Sequence, residues 1–368
     1  MRRFPLARAS GLRRSLLAAG TVATAAALAT TMTGMASASP HTTRFQQINE
    51  VSDQPGVAPV TDPNLVNPWG LAASATSPLW VADNNSNLAT LYSGATSLMP
   101  QGLVVSVTGG APSGEVRNPG SGFAVSDTTG SGPAPFIFDT EDGTIEGWSP
   151  AAGSGATVVA VNNGANAVYK GLAVATASDG NTYLYATNFR TGRVEVYDST
   201  FAPVQLPGGL FVDPNMPPGY APFGIDEIDG QLYVTYAEQD AALHDDVAGQ
   251  GHGFVDVFTN DGAFVKRLIT RGSLDAPWGM AVAPSSFGSF AGDLLVGNFG
   301  DGHINAYNMT TGAHVGELRQ ASGQPIVIDG LWGLLVGNGT FAGTGEVAFS
   351  AGPDSENHGL LGKIDAVQ

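Results

Sequence analysis

The densest chemistry in the chain lies in residues 239–253, QDAALHDDVAGQGHG, where Asp240, His244, Asp245, Asp246 and His252 share one short stretch. Three carboxylates and two imidazoles this close offer ligands for Ca²⁺ or a transition metal, or a general acid–base pair. The same composition also suits a solvated acidic loop ordered by its own glycines. A smaller polar stretch, residues 351–359, adds Glu356 and His358. Together with Lys170 these give three candidate catalytic groups, His244, His358 and Lys170. The candidate metal ligands are Asp240, Asp245, Asp246, Glu356 and Asp301. No nucleophile elbow, zinc-protease helix or phosphate-binding loop is present in the sequence. With no cysteine in the chain, thiol catalysis and thiolate ligation are excluded.

What must position these groups is a repeat. Residue pairs of one kind open similar stretches at Trp69-Gly70, Phe123-Ala124, Lys170-Gly171, Phe223-Gly224, Trp278-Gly279 and Trp332-Gly333, 47 to 55 residues apart. A near-constant period of this size marks supersecondary units that bury their faces only against one another. Each unit reads as a four-stranded antiparallel meander. The fifth, for example, places strands at residues 278–283, 293–298, 304–307 and 314–318. The second is read at 122–126, 135–139, 144–148 and 157–161. The third has a weak fourth strand before a Pro- and Gly-rich insertion, residues 206–219. Continuously apolar second strands such as Leu232-Tyr233-Val234-Thr235-Tyr236 suit sheets covered on both faces. Six such sheets around an axis make an all-β, six-bladed β-propeller. The sixth unit supplies three strands, and the alternating stretch 45–51 is expected to complete it and close the ring.

In such a ring the innermost strand starts on the face where second and third strands are joined. The opening residues Trp69, Phe123, Lys170, Phe223, Trp278 and Trp332 therefore form one ring, and the second-to-third-strand loops a wider one. Large rings at this position either wedge between neighbouring blades or offer a stacking platform for a sugar or another flat ligand. Trp69, Lys170, Phe223, Trp278 and Trp332 are the candidate ligand-binding residues. A lysine among them must snorkel or pair with a carboxylate, and could anchor a substrate.

Five arginines, an apolar run and Ala36-Ser37-Ala38 make residues 1–38 an expected signal peptide, with Arg13-Arg14 suggesting the twin-arginine route. Residues 39–368 then form one propeller domain. Its balance is 15 − 5 = 10 basic against 32 acidic residues, a surface that repels nucleic acid and anionic lipid. No further stretch is long and apolar enough to span a membrane. The mature protein is expected to be exported and monomeric, extracellular or associated with the cell envelope.

The pattern P-x-G-[LM]-A followed by L-[WLY]-V-x-[DN] resembles NHL-type propeller repeats. The strings opening at Asn67 (NPWGLA), Tyr220 (YAPF), His244 (HDDVAG), Leu295 (LVGNFGDG) and Asp329 (DGLWG) are similar to those of a bacterial family of exported NHL-like propellers. That resemblance implies the fold and no particular chemistry. Function is expected at the loop-rich face around the channel, as a module binding a small molecule, glycan or protein. The alternative is a hydrolase or lactonase assisted by Ca²⁺ or another divalent cation and acting on a small ester, lactone or sugar.

Overall fold

Leu79–Asp83, Phe136–Thr140 and Leu294–Asn298 are buried along their whole length, because each is the second strand of a blade with a neighbouring blade on either face. The computed structural model describes residues 43–367; the expected signal peptide lies outside the described residues. Blade one comprises Pro68–Ala72, Leu79–Asp83, Leu88–Ser93 and Met99–Ser106, in that order from the axis outward. Blade four (Tyr220–Ile228, Gln231–Glu238, Phe254–Thr259, Phe264–Thr270) and blade five (Pro277–Val282, Leu294–Asn298, Ile304–Tyr307, His314–Glu317) repeat the pattern. Blade three has Tyr169–Thr176, Thr182–Asn188 and Arg193–Tyr197. Its fourth strand is reduced to a bridge between Tyr197 and Pro203.

Blade two corrects the sequence reading. Its innermost strand is Pro112–Arg117, followed by Phe136–Thr140, Thr144–Trp148 and Val158–Asn162. Residues 122–126 belong instead to a small hairpin, in which Ala124–Ser126 pairs with Ser131–Pro133. Phe123, held at φ +58°, packs edge-on against Phe201 rather than facing the axis. The opening pair of blade two is Ser113-Gly114.

Blade six is built from Leu331–Val336, Val347–Ala351 and Leu360–Val367, completed by Arg44–Ser52 as expected. That outer strand runs antiparallel to Leu360–Val367, from Arg44 opposite Val367 to Ser52 opposite Leu360. Lys363 reinforces the seam from inside, its Nζ 3.4 Å from Glu50 and 3.2 Å from Glu346. Phe45 is buried against Phe287 and Phe290 of blade five. Burying one such side chain contributes roughly 2–3 kcal/mol.

Six apolar clusters fill the spaces between successive blades. The innermost strands touch in closed cyclic order, and each carries a register shift at its start. The glycine of each opening pair permits the approach. A Cβ on Gly279 would lie 2.3 Å from the Trp332 carbonyl oxygen, and one on Gly224 equally close to that of Trp278. The bulge leaves amides to satisfy, and second-strand side chains do so. Asp139, Thr235 and Ser350 accept from the N–H of Gly114, Gly224 and Gly333 at 2.6, 2.8 and 2.9 Å. This backbone device turns the residue before each glycine toward the axis.

Candidate functional site

A seventh apolar cluster sits at the mouth of the channel and belongs to no blade interface: Trp69, Phe189, Phe223, Trp278, Phe299 and Trp332 with three small alanines. Trp332 is its centre, stacked on Trp69 at 3.5 Å and on Phe299 at 4.0 Å between ring centroids. Trp278 and Phe223 meet it edge-on at 5.7 and 5.9 Å. The ring residues thus stack on one another across the axis and plug it, instead of wedging between blades. Trp69, Phe223 and Trp332 are 2%, 0% and 1% exposed, so they present no face to solvent. Trp278 and Phe299 are half-buried. Below the plug the channel persists as a cavity of about 260 Å³.

Blades two and three depart from the aromatic pattern, with Ser113 and Lys170 at the equivalent positions. Lys170 is 2% exposed. Its Nζ pairs with Glu141 of the blade-two loop and lies 3.4 Å from Asp245 of the blade-four loop. The ammonium also stands over the Trp69 ring, 5.0 Å from its centroid, a favourable placement for a cation. Burial works to lower its pKa, but Glu141, Asp245 and Asp246 together outweigh that and hold it above the ordinary value. Asp245 receives the reciprocal effect: burial pushes its carboxyl up, and Lys170 and His244 bring it below the usual range.

From Lys170 a chain of polar contacts runs round the rim. Asn84 donates to Glu141 at 2.8 Å, Asn67 donates to Asn84 at 3.4 Å and to Glu356 at 3.0 Å. On the other side the His244 ring nitrogen Nδ1 lies 2.7 Å from Asp245. Blades six, one, two, three and four are thereby joined. Two bonds tie this rim to the plug: Trp332 donates to the Asn67 side chain at 3.1 Å and Trp278 to the Lys170 carbonyl at 2.8 Å. Burial pushes the Asp246 carboxyl up to about 7. Glu356 is raised chiefly by burial, with a contribution from Glu141.

The candidate residues separate under this geometry. Lys170, His244, Asp245, Asp246 and Glu356 converge on the mouth. Asp240 lies within the blade-four loop, accepting from the N–H of His244 at 2.8 Å and of Asp245 at 3.3 Å. His358 is held by Asp53 at 2.8 Å beside the closing seam. Asp301 pairs with His303 at 3.2 Å in a lateral cleft of blade five. Glu141 enters the sequence reading only as one carboxylate of the wider loop ring, and Asn67, Phe189 and Phe299 fall outside its candidate residues. The two phenylalanines share a signal, since each follows an asparagine directly after a second strand, Asn188-Phe189 and Asn298-Phe299.

Among the described residues, Glu141, His244 and Asp245 offer ligand atoms all within 4.8 Å of one another. One imidazole and two carboxylates suit Zn²⁺ or Mn²⁺ better than Ca²⁺. The Lys170 ammonium, however, already contacts both carboxylates. It occupies the electrostatic role that an ion would take, and a metal must compete with it.

No family model matches the chain. Uncharacterized protein R648 of Acanthamoeba polyphaga mimivirus is 34% identical over 329 residues, covering 85% of this chain and 78% of the relative. Uncharacterized protein L690 of the same virus is 33% identical over 329 residues, covering 85% of this chain and 84% of the relative. These relatives are viral, so they do not support a specifically bacterial family. Among solved structures, virginiamycin B lyase from Staphylococcus aureus aligns with a TM-score of 0.52 at 12% identity, over 88% of this chain and all of that one. The PQQ-bound aldose sugar dehydrogenase from Streptomyces coelicolor aligns with a TM-score of 0.50 at 14% identity, over 90% of this chain and all of that one. At this identity the likeness establishes the propeller fold and nothing of the chemistry. Among the described residues no helix is long and apolar enough to cross a membrane.

Proposed function

The chain belongs to the six-bladed propeller family that includes proteins R648 and L690 of Acanthamoeba polyphaga mimivirus, and on that premise we propose that it is an exported module binding a small polar ligand at the channel mouth. The observation that carries this reading is the buried ammonium of Lys170, which gathers carboxylates from blades two and four above a closed aromatic floor. Glu141, Asp245, Glu356, Asn85 and His244 offer acceptors and donors at the surface, near the half-buried ring of Phe299. Carboxylates and amides beside ring faces match a polyhydroxylated molecule, which both donates to oxygens and lays C–H groups on aromatic carbon.

A second reading, metal-assisted hydrolysis, is favoured by the proximity of Glu141, His244 and Asp245. It requires the Lys170 side chain to yield its contacts to a divalent ion. Thermal-shift and calorimetric titration separate the two. The probes are neutral sugars, sugar acids and polyols, with Ca²⁺, Mn²⁺ and Zn²⁺ in parallel. The binding reading predicts a sugar or polyol response that His244→Ala and Asp245→Asn weaken about tenfold, and metal binding that rises when Lys170→Met removes the competing ammonium. Micromolar metal binding by the unaltered chain, with lactone hydrolysis dependent on it, would overturn that reading in favour of the hydrolase.

A further inference from the structure

Charge is spread unevenly round the outer wall of the propeller. The chain holds 32 acidic and 15 basic residues, yet residues 84–114 and 147–169 contain no Asp, Glu, Lys or Arg. These two stretches supply the outermost strands of blades one and two, Met99–Ser106 and Val158–Asn162. The corresponding strands of blades four, five and six carry Lys266 and Arg267, Glu317, and Arg44 and Glu50. An outermost strand leaves one row of N–H and C=O groups open to any chain able to pair with it, and charged side chains or proline on that strand discourage such pairing. Blade one has only Pro100, at the start of its strand, and blade two has neither.

The two uncharged strands make one surface. The Ser106 N–H donates to the Gly155 carbonyl at 3.0 Å and the Thr157 N–H to the Ser106 carbonyl at 2.9 Å, so the end of one strand is sewn to the approach of the next. Beyond that junction, among the described residues, the backbone of 101–105 and of 158–162 bonds only inward, to its own blade. The strands are anchored from behind, with Val105 fully buried and Leu103 and Val158 packed on the cores between blades. Outward they present aliphatic carbon: Met99 and Val104 are 53% and 37% exposed, and Pro100, Gly102 and Ala160 are exposed as well. Gln101, the one long polar side chain on the first strand, folds back to donate to the Ser93 hydroxyl at 2.6 Å and the Met99 carbonyl at 3.1 Å.

What covers this surface follows from the charge elsewhere. A basic partner gains more on the acidic remainder of the molecule than on a neutral strip. A partner as acidic as this chain is repelled by that remainder and can approach closely only where charge is missing. A second copy is such a partner, and two identical strands paired antiparallel are related by a two-fold axis, the symmetry that closes a dimer. We infer that the outer wall of blades one and two is a self-association surface, through which two copies pair isologously, Met99–Ser106 and Val158–Asn162 of each covering the same strands of the other. The pairing supplies partners for the open backbone row, covers Met99 and Val104, and sets no like charges of these strands against each other. It replaces the monomer expected from the sequence, and it is independent of the channel mouth, to which these outermost strands contribute no residue.

The test is sedimentation velocity of the whole chain from about 1 to 100 µM, in about 0.05 M and 0.5 M salt. A reversible dimer is expected, tighter by about threefold or more at the higher salt, because screening removes the repulsion between two acidic bodies. Val104→Lys and Ala160→Lys should each weaken it at least about tenfold, since the two-fold axis places two like charges in the contact for every substitution made. Met99→Lys, at a position 53% exposed, keeps the first strand testable should Val104→Lys fail to fold. Val265→Lys, at a position 43% exposed on the outermost strand of blade four, should leave the dimer unchanged. A monomer over the whole range, a dimer that loosens with salt, or one indifferent to the lysines on blades one and two overturns the inference. So does a monomer that co-sediments with phosphatidylcholine vesicles, which would make a membrane the occupant of the wall.

Discussion

The mouth of the propeller has two halves made from one backbone position. In blades four, five, six and one the residue before the bulge glycine is Phe223, Trp278, Trp332 or Trp69, and the rings stack into a plug. In blades two and three it is Ser113 or Lys170: the Ser113 hydroxyl is buried against Asp139 and the Tyr169 carbonyl, and the Lys170 ammonium reaches the rim carboxylates. The glycines, bulges and second-strand hydrogen bonds are common to both halves. The scaffold therefore fixes where a side chain goes, and the lysine of blade three gives the mouth its charge. Blade two departs again two residues later: Glu115 stands where the other blades have Leu172, Ile225, Met280, Leu334 and Leu71. Among the described residues, both Glu115 carboxyl oxygens are buried with no hydrogen-bond partner.

The largest effect expected from breaking this contrast lies in the aromatic half. Trp332→Ala removes the ring on which Trp69 and Phe299 stack, and should cost about 3–5 kcal/mol in urea unfolding. In the charged half, Lys170→Met leaves Glu141 and Asp245 without their countercharge. A fully buried pair broken this way costs about 3–5 kcal/mol; with Asp245 65% exposed, about 2–3 kcal/mol is expected in the same assay.

Glu115→Leu restores the residue type of the other five blades and should stabilise the protein by about 1–3 kcal/mol. Burial, with Asp83 adding, raises the Glu115 pKa. The folded state therefore keeps a proton that the unfolded chain loses, and stability falls as pH rises above the ordinary carboxyl range. The gain from Glu115→Leu should consequently be greater at pH 8 than at pH 4.5.

The smallest effect is that of Asp246→Asn. With a folded pKa of about 7 against about 4 unfolded, Asp246 destabilises progressively across that window. The variant should match the parent at pH 4 and exceed it by about 0.5–1 kcal/mol at pH 8, read from urea midpoints at the two pH values.

The ring, its closing strand and the shared face of the loops were legible because apolar alternation and glycine turns are local signals. The second strands are placed within a residue or so, and the seam pairing follows from the three-stranded sixth unit. Blade two was misread because Ser113-Gly114-Glu115 lacks the large ring and the apolar residue that mark the other openings. Phe123-Ala124, about ten residues on, imitates them. Within the site, Lys170 stood out as the sole lysine of its ring, and a buried partner for it was foreseeable on charge grounds. That the partner is Glu141 depends on how two blades abut, which no single repeat encodes. Asn67 is visible in the sequence only as the first residue of the string NPWGLA. Its link between Trp332 and Glu356 arises where the first and last blades meet.

The account rests on Lys170 acting as the built-in cation of the mouth. A double-mutant cycle of Lys170→Met and Glu141→Gln, read by urea unfolding at pH 7, tests this most directly. The account predicts a coupling of about 1.5 kcal/mol or more, with the double variant recovering much of what Lys170→Met loses. Losses that add to within about 0.5 kcal/mol would contradict it.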